Sequence, residues 1–423
     1  MQASLRLLGR RRFLPLFATQ FLGAFNDNLF KTAMVILVTY HVYNDPTKEA
    51  SFNAIAGGIF ILPFFLFSAL AGQLADSMDK ARIIRFVKTA EIVIMIGGAG
   101  GLLLQNVPLM LAALFAMGVH SSFFGPIKYA ILPQHLARDE VRGGTGLVEA
   151  GTYGAILLGT IAGGLVEPRA AAAAVLAVAL VGRLTGGRVP PAPPEADAPV
   201  PVMDWHIIRS SIALVSATLH IPRLFLAIAS ISFFWAMGAI LAAQFPPLVK
   251  NVLHANEQVA TLFLAIFSVG VAVGSVLINR LLAGRVLAKF SPAAAIAMGL
   301  FIVHLYWNAS HWPVAGGELM DLGTFVLIPQ ADWVMLDLFG VAVAGGMFVV
   351  PLYAFLTTTV PKSETARTVA ANNIVNSGAM VMAALLLFGL VQAGVSVAET
   401  LLMVAVASLG AAWIAWKLHL ACD

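Results

Sequence analysis

One cysteine in the whole chain, Cys422 beside the C-terminus, excludes a disulfide framework and any thiolate metal site. Charge is scarce as well: Asp, Glu, Lys and Arg make up 11% of residues, against about 25% in a soluble domain. No Gly-x-x-x-x-Gly-Lys phosphate loop occurs, which argues against a primary pump. No histidine is followed at the fifth position by aspartate, so the usual acyl-transfer pair of a membrane acyltransferase is missing; His135 and Glu140 come nearest. The nine histidines show no metal-ligand spacing, and no cofactor is expected.

What is present is apolar: 60% of residues are hydrophobic and the mean hydropathy is +0.89, the composition of an integral membrane protein. Twelve segments can be read off, at roughly 13–41, 52–75, 82–104, 108–132, 143–166, 169–187, 222–248, 257–282, 292–310, 332–357, 368–392 and 396–418. The first is too long for a signal peptide and lacks a small-residue cleavage site, so it is expected to remain. With the N-terminus inside, Lys48, Arg169 and Lys250 are the basic residues expected in outer loops, and Lys31 and Lys88 lie within segments. The rest of the 25 Lys and Arg fall on or near the inner side, which places both termini in the cytoplasm. The pI near 9.3 is therefore read as topology rather than as affinity for nucleic acid, with contact to anionic membrane lipid a by-product.

Six prolines between 190 and 201 make the stretch after segment six extended. Asp204 to His220 then reads as a mildly amphipathic surface segment. The expected organisation is all-α: a six-helix bundle over 1–185, a cytoplasmic linker over 186–221 and a second six-helix bundle over 222–423. Two similar halves around a midplane site are the usual transporter plan.

Four polar stretches interrupt the apolar runs. In the first segment lies Gly23-Ala24-Phe25-Asn26-Asp27-Asn28-Leu29-Phe30-Lys31. At about 1.5 Å per residue, Asp27 sits roughly 20 Å along from Phe13, past the bilayer midplane. Charge there costs several kcal/mol unless it faces protein or water. Asp27 and Lys31 could form an internal packing pair at i,i+4, but Asn26 and Asn28 add polarity beyond what packing needs. After segment two, Gly72, Asp76 and Arg82 sit in Gly72-Gln73-Leu74-Ala75-Asp76-Ser77-Met78-Asp79-Lys80-Ala81-Arg82, where glycine permits close helix approach and the aspartate can hold an arginine or a helix N-terminus. Ser77 stands where a basic residue is usual, and Gly274, Asn279, Arg280 and Arg285 give a weaker echo in the second half.

Segment four ends in Ser121-Ser122-Phe123-Phe124-Gly125-Pro126-Ile127-Lys128-Tyr129. Gly125-Pro126 inside an apolar helix frees backbone carbonyls and opens a kink, tolerable where a helix lines a cavity. Lys128 either snorkels to the inner interface or offers an ammonium to a phosphate. Segment five brings Glu149 with Thr152 and Tyr153; Glu149 either neutralises Lys128 or serves transport. Lys88 and Glu91, three apart in segment three, read as a packing pair.

The loop after segment two resembles the signature of the major facilitator superfamily. Nearly the whole chain, the linker and segment six apart, resembles the lysophospholipid transporters of Gram-negative bacteria within it. That resemblance rests on Gln20-Phe21-Leu22-Gly23-Ala24-Phe25-Asn26-Asp27-Asn28, Gly125-Pro126-Ile127-Lys128-Tyr129 and Gly146-Leu147-Val148-Glu149-Ala150. It continues through Gly345-Gly346-Met347-Phe348-Val349-Val350-Pro351-Leu352 and Ala371-Asn372-Asn373-Ile374-Val375-Asn376-Ser377. The resemblance implies twelve transmembrane helices in the major facilitator fold. It also implies alternating access, with lysophosphatidylethanolamine and lysophosphatidylglycerol moved from the outer to the inner leaflet of the inner membrane.

An acyl-carrier-protein-dependent acyltransferase/synthetase, in some relatives fused to the transporter, then re-acylates the lipid. With the chain ending at Asp423, a separate enzyme is the expectation here. In that fold segments 1, 4, 7 and 10 line the cavity, so Asn26, Asp27, Asn28, Lys31, His120, Ser121, Ser122, Lys128 and Tyr129 form one polar wall, with Glu149 and Thr152 beside it. Trp235, Phe348 and Tyr353 form an apolar one without deep charge, joined by Asn373. Such walls suit an amphiphile with one head and one tail, entering sideways through a seam of small residues. Two rivals use the same fold: a proton-coupled exporter of drugs or small metabolites with Asp27 or Glu149 as titrating carboxylate, and a lipid sensor that does not transport.

Overall fold

The computed structural model describes residues 6–194, 204–282, 287–313, 317–358, 360 and 362–422. Twelve of its helices are long and apolar enough to cross a membrane, and no β-strand occurs among the described residues. They are α1 (Leu14–Leu37), α2 (Pro46–Ser77), α3 (Lys80–Leu104), α4 (Val107–Ala130), α5 (Arg138–Leu165), α6 (Pro168–Gly187), α7 (Pro222–Asn251), α8 (Glu257–Leu282), α9 (Ser291–Ser310), α10 (Pro329–Thr358), α11 (Lys362–Gln392) and α12 (Val397–Cys422). In hydrocarbon every backbone group must be satisfied within its own segment, so apolar runs of this length become helices. Their ends carry the expected signals. The Asn106 side chain accepts from Leu109 N at 3.0 Å to start α4, and proline occupies the first turn of α6, α7 and α9.

Two features differ from the sequence expectation. The first span is not one uniform α-helix: α1 gives way to a π-helical turn over Val38–Val42. Lys250, expected in a loop, lies in the last turn of α7, because the helix continues through Pro246 and Pro247 to keep Phe245, Leu248 and Val249 fully buried. Arg285 lies outside the described residues, as does much of the proline-rich linker. The amphipathic segment forms a short helix, Ile207–Leu219, preceded by Asp204, which the Arg209 guanidinium holds well below the usual carboxylate range.

The chain divides into two compact units. Unit 1 comprises Met1–Leu37 and Leu62–Ser211, and unit 2 comprises Val38–Ile61 and Ile212–Asp423. In unit 1, α1 packs along α5 and α6, and α3 along α6 and α4. In unit 2, α10 packs on α8 and α9, α9 on α12, and α7 on α11. Glycine decides how near two of these pairs come. A Cβ on Gly159 of α5 would stand 2.4 Å from the Phe25 carbonyl oxygen of α1, and one on Gly274 of α8 would stand 2.0 Å from the Val343 carbonyl oxygen of α10. Backbone cannot step aside as a side chain can. Gly274→Ala is therefore expected to cost on the order of 1–3 kcal/mol as overpacking, visible as a lowered melting temperature in detergent; an unchanged melting temperature would contradict the close approach.

Candidate functional site

Within unit 1, α1, α3, α4 and α5 bring their polar exceptions into two adjoining sets. The first centres on α1. Asn26, fully buried, donates from Nδ2 to Glu91 Oε1 at 2.9 Å and to the Val175 carbonyl of α6 at 3.2 Å. Glu91 pairs with Lys88, three residues before it on α3, with both side chains 1% exposed. His120 Nε2 lies 3.2 Å from Glu91 Oε2, and its Nδ1 lies 3.3 Å from Ser121 Oγ. Ser121 Oγ donates to Asp27 Oδ2 at 2.5 Å. Lys88–Glu91 is thus an ion pair, as the spacing suggested, but part of a larger network. Asp27 spends one oxygen on Ser121, and its other oxygen, Oδ1, is buried with no partner among the described residues. Lys31 lies within electrostatic reach of Asp27.

The second set lies on α4 and α5. Thr152 Oγ1 donates to Gln20 Oε1 at 2.8 Å, and Lys128 Nζ donates to Thr152 Oγ1 at 3.4 Å. Lys128 Nζ also sits 4.8 Å from the Tyr129 ring centroid, and the Tyr129 hydroxyl donates to Glu149. Among the described residues no carboxylate comes within ion-pair distance of Lys128, so Glu149 is satisfied by a phenol while the ammonium rests on a hydroxyl and a ring. α4 runs unbroken across Gly125 and Pro126. Two residues of the expected wall turn inward to their own helices: Asn28 Nδ2 donates to the Ala24 carbonyl at 2.8 Å, and Ser122 Oγ to the Val119 carbonyl at 2.8 Å.

The loop motif works through a different aspartate. Asp76 and Arg82 are exposed and Gly72 is half-buried. Asp79, three residues after Asp76, starts α3 by accepting from Ala81 N at 3.0 Å, and the same oxygen accepts from Ala192 N at 2.8 Å. The fork ties the beginning of the proline-rich linker to unit 1, a role the sequence did not single out.

In unit 2 the polar chemistry around the expected apolar wall is uncharged. Trp235 Nε1 donates to the Tyr353 hydroxyl at 2.7 Å, Asn376 Nδ2 reaches the same oxygen at 3.4 Å, and Ser232 Oγ donates to Asn376 Oδ1 at 2.7 Å. Asn376, not the exposed Asn373, joins this set. Phe348 is fully buried against Phe234, so it belongs to the core of the unit. In the first third of α10, Asp337 is buried, accepting from Asn308 Nδ2 at 2.9 Å beside His304 Nδ1 at 2.7 Å. Burial is tolerated because both carboxylate oxygens find a partner.

Comparison with known proteins places this geometry in a family. The family model described as Major Facilitator Superfamily matches residues 16–384. The lysophospholipid transporter LplT of Citrobacter koseri is 27% identical over 372 residues, covering 86% of this chain and 85% of the relative. That of Escherichia coli strain SE11 is 27% identical over 370 residues, covering 86% and 84%. Among solved structures, an auto-inhibited POT family peptide transporter superposes with a TM-score of 0.73 at 12% identity, covering 98% of this chain and 97% of that one. An inward-facing, unoccupied bacterial homologue of the human lysosomal transporter Spinster gives 0.68 at 13% identity, covering 97% of each. At such identities the structures share the fold alone.

Proposed function

We propose that this chain, which belongs to the major facilitator superfamily and is a multi-pass membrane transporter, carries lysophospholipids from the outer to the inner leaflet of the bacterial inner membrane. Its termini would face the cytoplasm, its cargo would include lysophosphatidylethanolamine and lysophosphatidylglycerol, and a separate acyl-carrier-protein-dependent acyltransferase/synthetase would re-acylate the product. The lipid would enter sideways from the bilayer and be moved by alternating access. Relatives named for lysophospholipid transport support the cargo.

The observation that carries the reading is Lys128. A half-buried ammonium with no carboxylate at ion-pair distance among the described residues, set beside the Thr152 hydroxyl and against a phenol ring, suits an anion. A phosphate oxygen there would gain about 1.5–3 kcal/mol as a charged hydrogen bond. The uncharged aromatic set of Trp235 and Tyr353 suits an acyl chain, which gains little over the bilayer it leaves and so supplies orientation more than affinity. Lys128→Ala is expected to weaken every phosphate-bearing lysolipid alike, on the order of 10- to 100-fold, while Trp235→Ala mainly shifts chain-length tolerance. Uptake of labelled lysophospholipids by purified protein in liposomes tests both. Full uptake by Lys128→Ala, with headgroup choice changed by Trp235→Ala, would reverse the assignment; uptake of small hydrophilic solutes in place of lipid would overturn the cargo.

A further inference from the structure

The geometry points to Tyr129 as a positioning residue that holds the Glu149 carboxylate off Lys128 and so keeps that ammonium open to a phosphate headgroup, a role that rests on Lys128 being the anion site proposed above. Two carboxylates lie within electrostatic reach of Lys128, Glu149 first and Asp27 second. Each is answered instead by a hydroxyl of α4: Tyr129 donates to Glu149 Oε1, and Ser121 Oγ donates to Asp27 Oδ2. Tyr129 serves both sides of the separation. Its ring takes the Lys128 ammonium 4.8 Å from the centroid, which holds a cation without neutralising it, while its hydroxyl takes the anion.

Nothing in the backbone forces Glu149 and Lys128 apart. Glu149 and Thr152 stand three residues apart on α5, a spacing that puts two side chains on one helix face, about 5–6 Å apart at Cβ. Lys128 Nζ already donates to Thr152 Oγ1 at 3.4 Å, so turning the Glu149 side chain is enough to bring its carboxylate toward the ammonium. Away from bulk water, opposite charges attract strongly, and the ion pair is the arrangement expected once the phenol hydroxyl is gone. The other contacts of Lys128 are uncharged. Thr152 Oγ1 gives its single hydrogen to Gln20 Oε1 or to the Val148 carbonyl, both at 2.8 Å, and so meets Lys128 with a lone pair. Of the three hydrogens of the ammonium, one is committed to a hydrogen bond among the described residues. Tyr129 itself is exposed, so core packing does not dictate where its hydroxyl points.

Tyr129→Phe keeps the ring and removes the hydroxyl. Equilibrium binding of lysophosphatidylglycerol to the purified protein is expected to weaken on the order of 10-fold in this variant. Adding Glu149→Gln should restore most of that loss, because an amide cannot neutralise Lys128. A double variant as weak as Tyr129→Phe alone would mean that the hydroxyl touches the headgroup itself, and overturns the positioning role. Acetylation of Lys128 by acetic anhydride, read by mass spectrometry of the digested protein, needs no lipid. Its rate should fall several-fold in Tyr129→Phe, since an ion-paired ammonium yields its proton less readily, and return in the double variant. Unchanged acetylation in Tyr129→Phe overturns the role whatever the cargo. A fall that Glu149→Gln reverses, in protein that binds no lysophosphatidylglycerol, keeps Tyr129 as the spacer and removes the lipid reading instead.

Discussion

Asp27→Asn is expected to reduce uptake of lysophospholipid to background while membrane expression and melting temperature stay near those of the parent. The amide is nearly isosteric and its oxygen can still accept from Ser121, which now donates to Asp27 Oδ2 at 2.5 Å, so helix packing has no reason to fail. What disappears is the charge. Asp27 is only 9% exposed and sits among His120, Glu91 and Lys88, where effective dielectric is low and a unit charge acts strongly on its neighbours. An amide can neither offset Lys31 nor exchange a proton. The measurement is initial uptake rate normalised to protein in the membrane. Normal uptake by this variant would remove Asp27 from the site.

The largest effect on stability is expected at the other charged cluster, which lies wholly in unit 2. Lys250 Nζ donates to Glu49 Oε1 at 2.6 Å, to the Thr39 carbonyl at 2.6 Å and to the Tyr43 carbonyl at 3.2 Å, and Asn251 Nδ2 donates to Glu49 Oε2 at 2.8 Å. The two carbonyls belong to the π-helical turn and the residue after it, where the i→i+5 bond from Tyr43 N to the Val38 carbonyl changes the usual ladder. Glu49 is buried, so Glu49→Ala strands an ammonium that has only carbonyls left. Breaking a buried pair this way costs about 3–5 kcal/mol, whereas replacing both members by apolar residues of similar volume is often neutral. Thermal unfolding in detergent should show a large drop for Glu49→Ala and substantial recovery in the double variant Glu49→Leu with Lys250→Met. If Glu49→Ala melts with the parent, the cluster does not stabilise this unit.

Composition and run length alone determined that the chain crosses a membrane twelve times, because hydrocarbon leaves the backbone no partner outside the helix and about 20 apolar residues span it. They also made the polar side chains inside such runs legible, since each is costly enough there to stand out: Asp27, Lys88, Glu91, Lys128 and Glu149. Partners were not. Ser121 lies 94 residues from Asp27 and Asn26 lies 65 from Glu91, and only packing brings them together. Membrane helices are apolar on nearly every side, so periodicity does not say which face meets which neighbour. That choice fell to small residues such as Gly159 and Gly274, which set how near two backbones come. Tertiary structure likewise decided that Glu149 answers Tyr129 rather than Lys128, that Asp79 rather than Asp76 caps α3, and that Lys250 reaches back to a turn more than 200 residues earlier. In each case the sequence offers several groups able to form the bond, and the geometry of the packed helices leaves room for one.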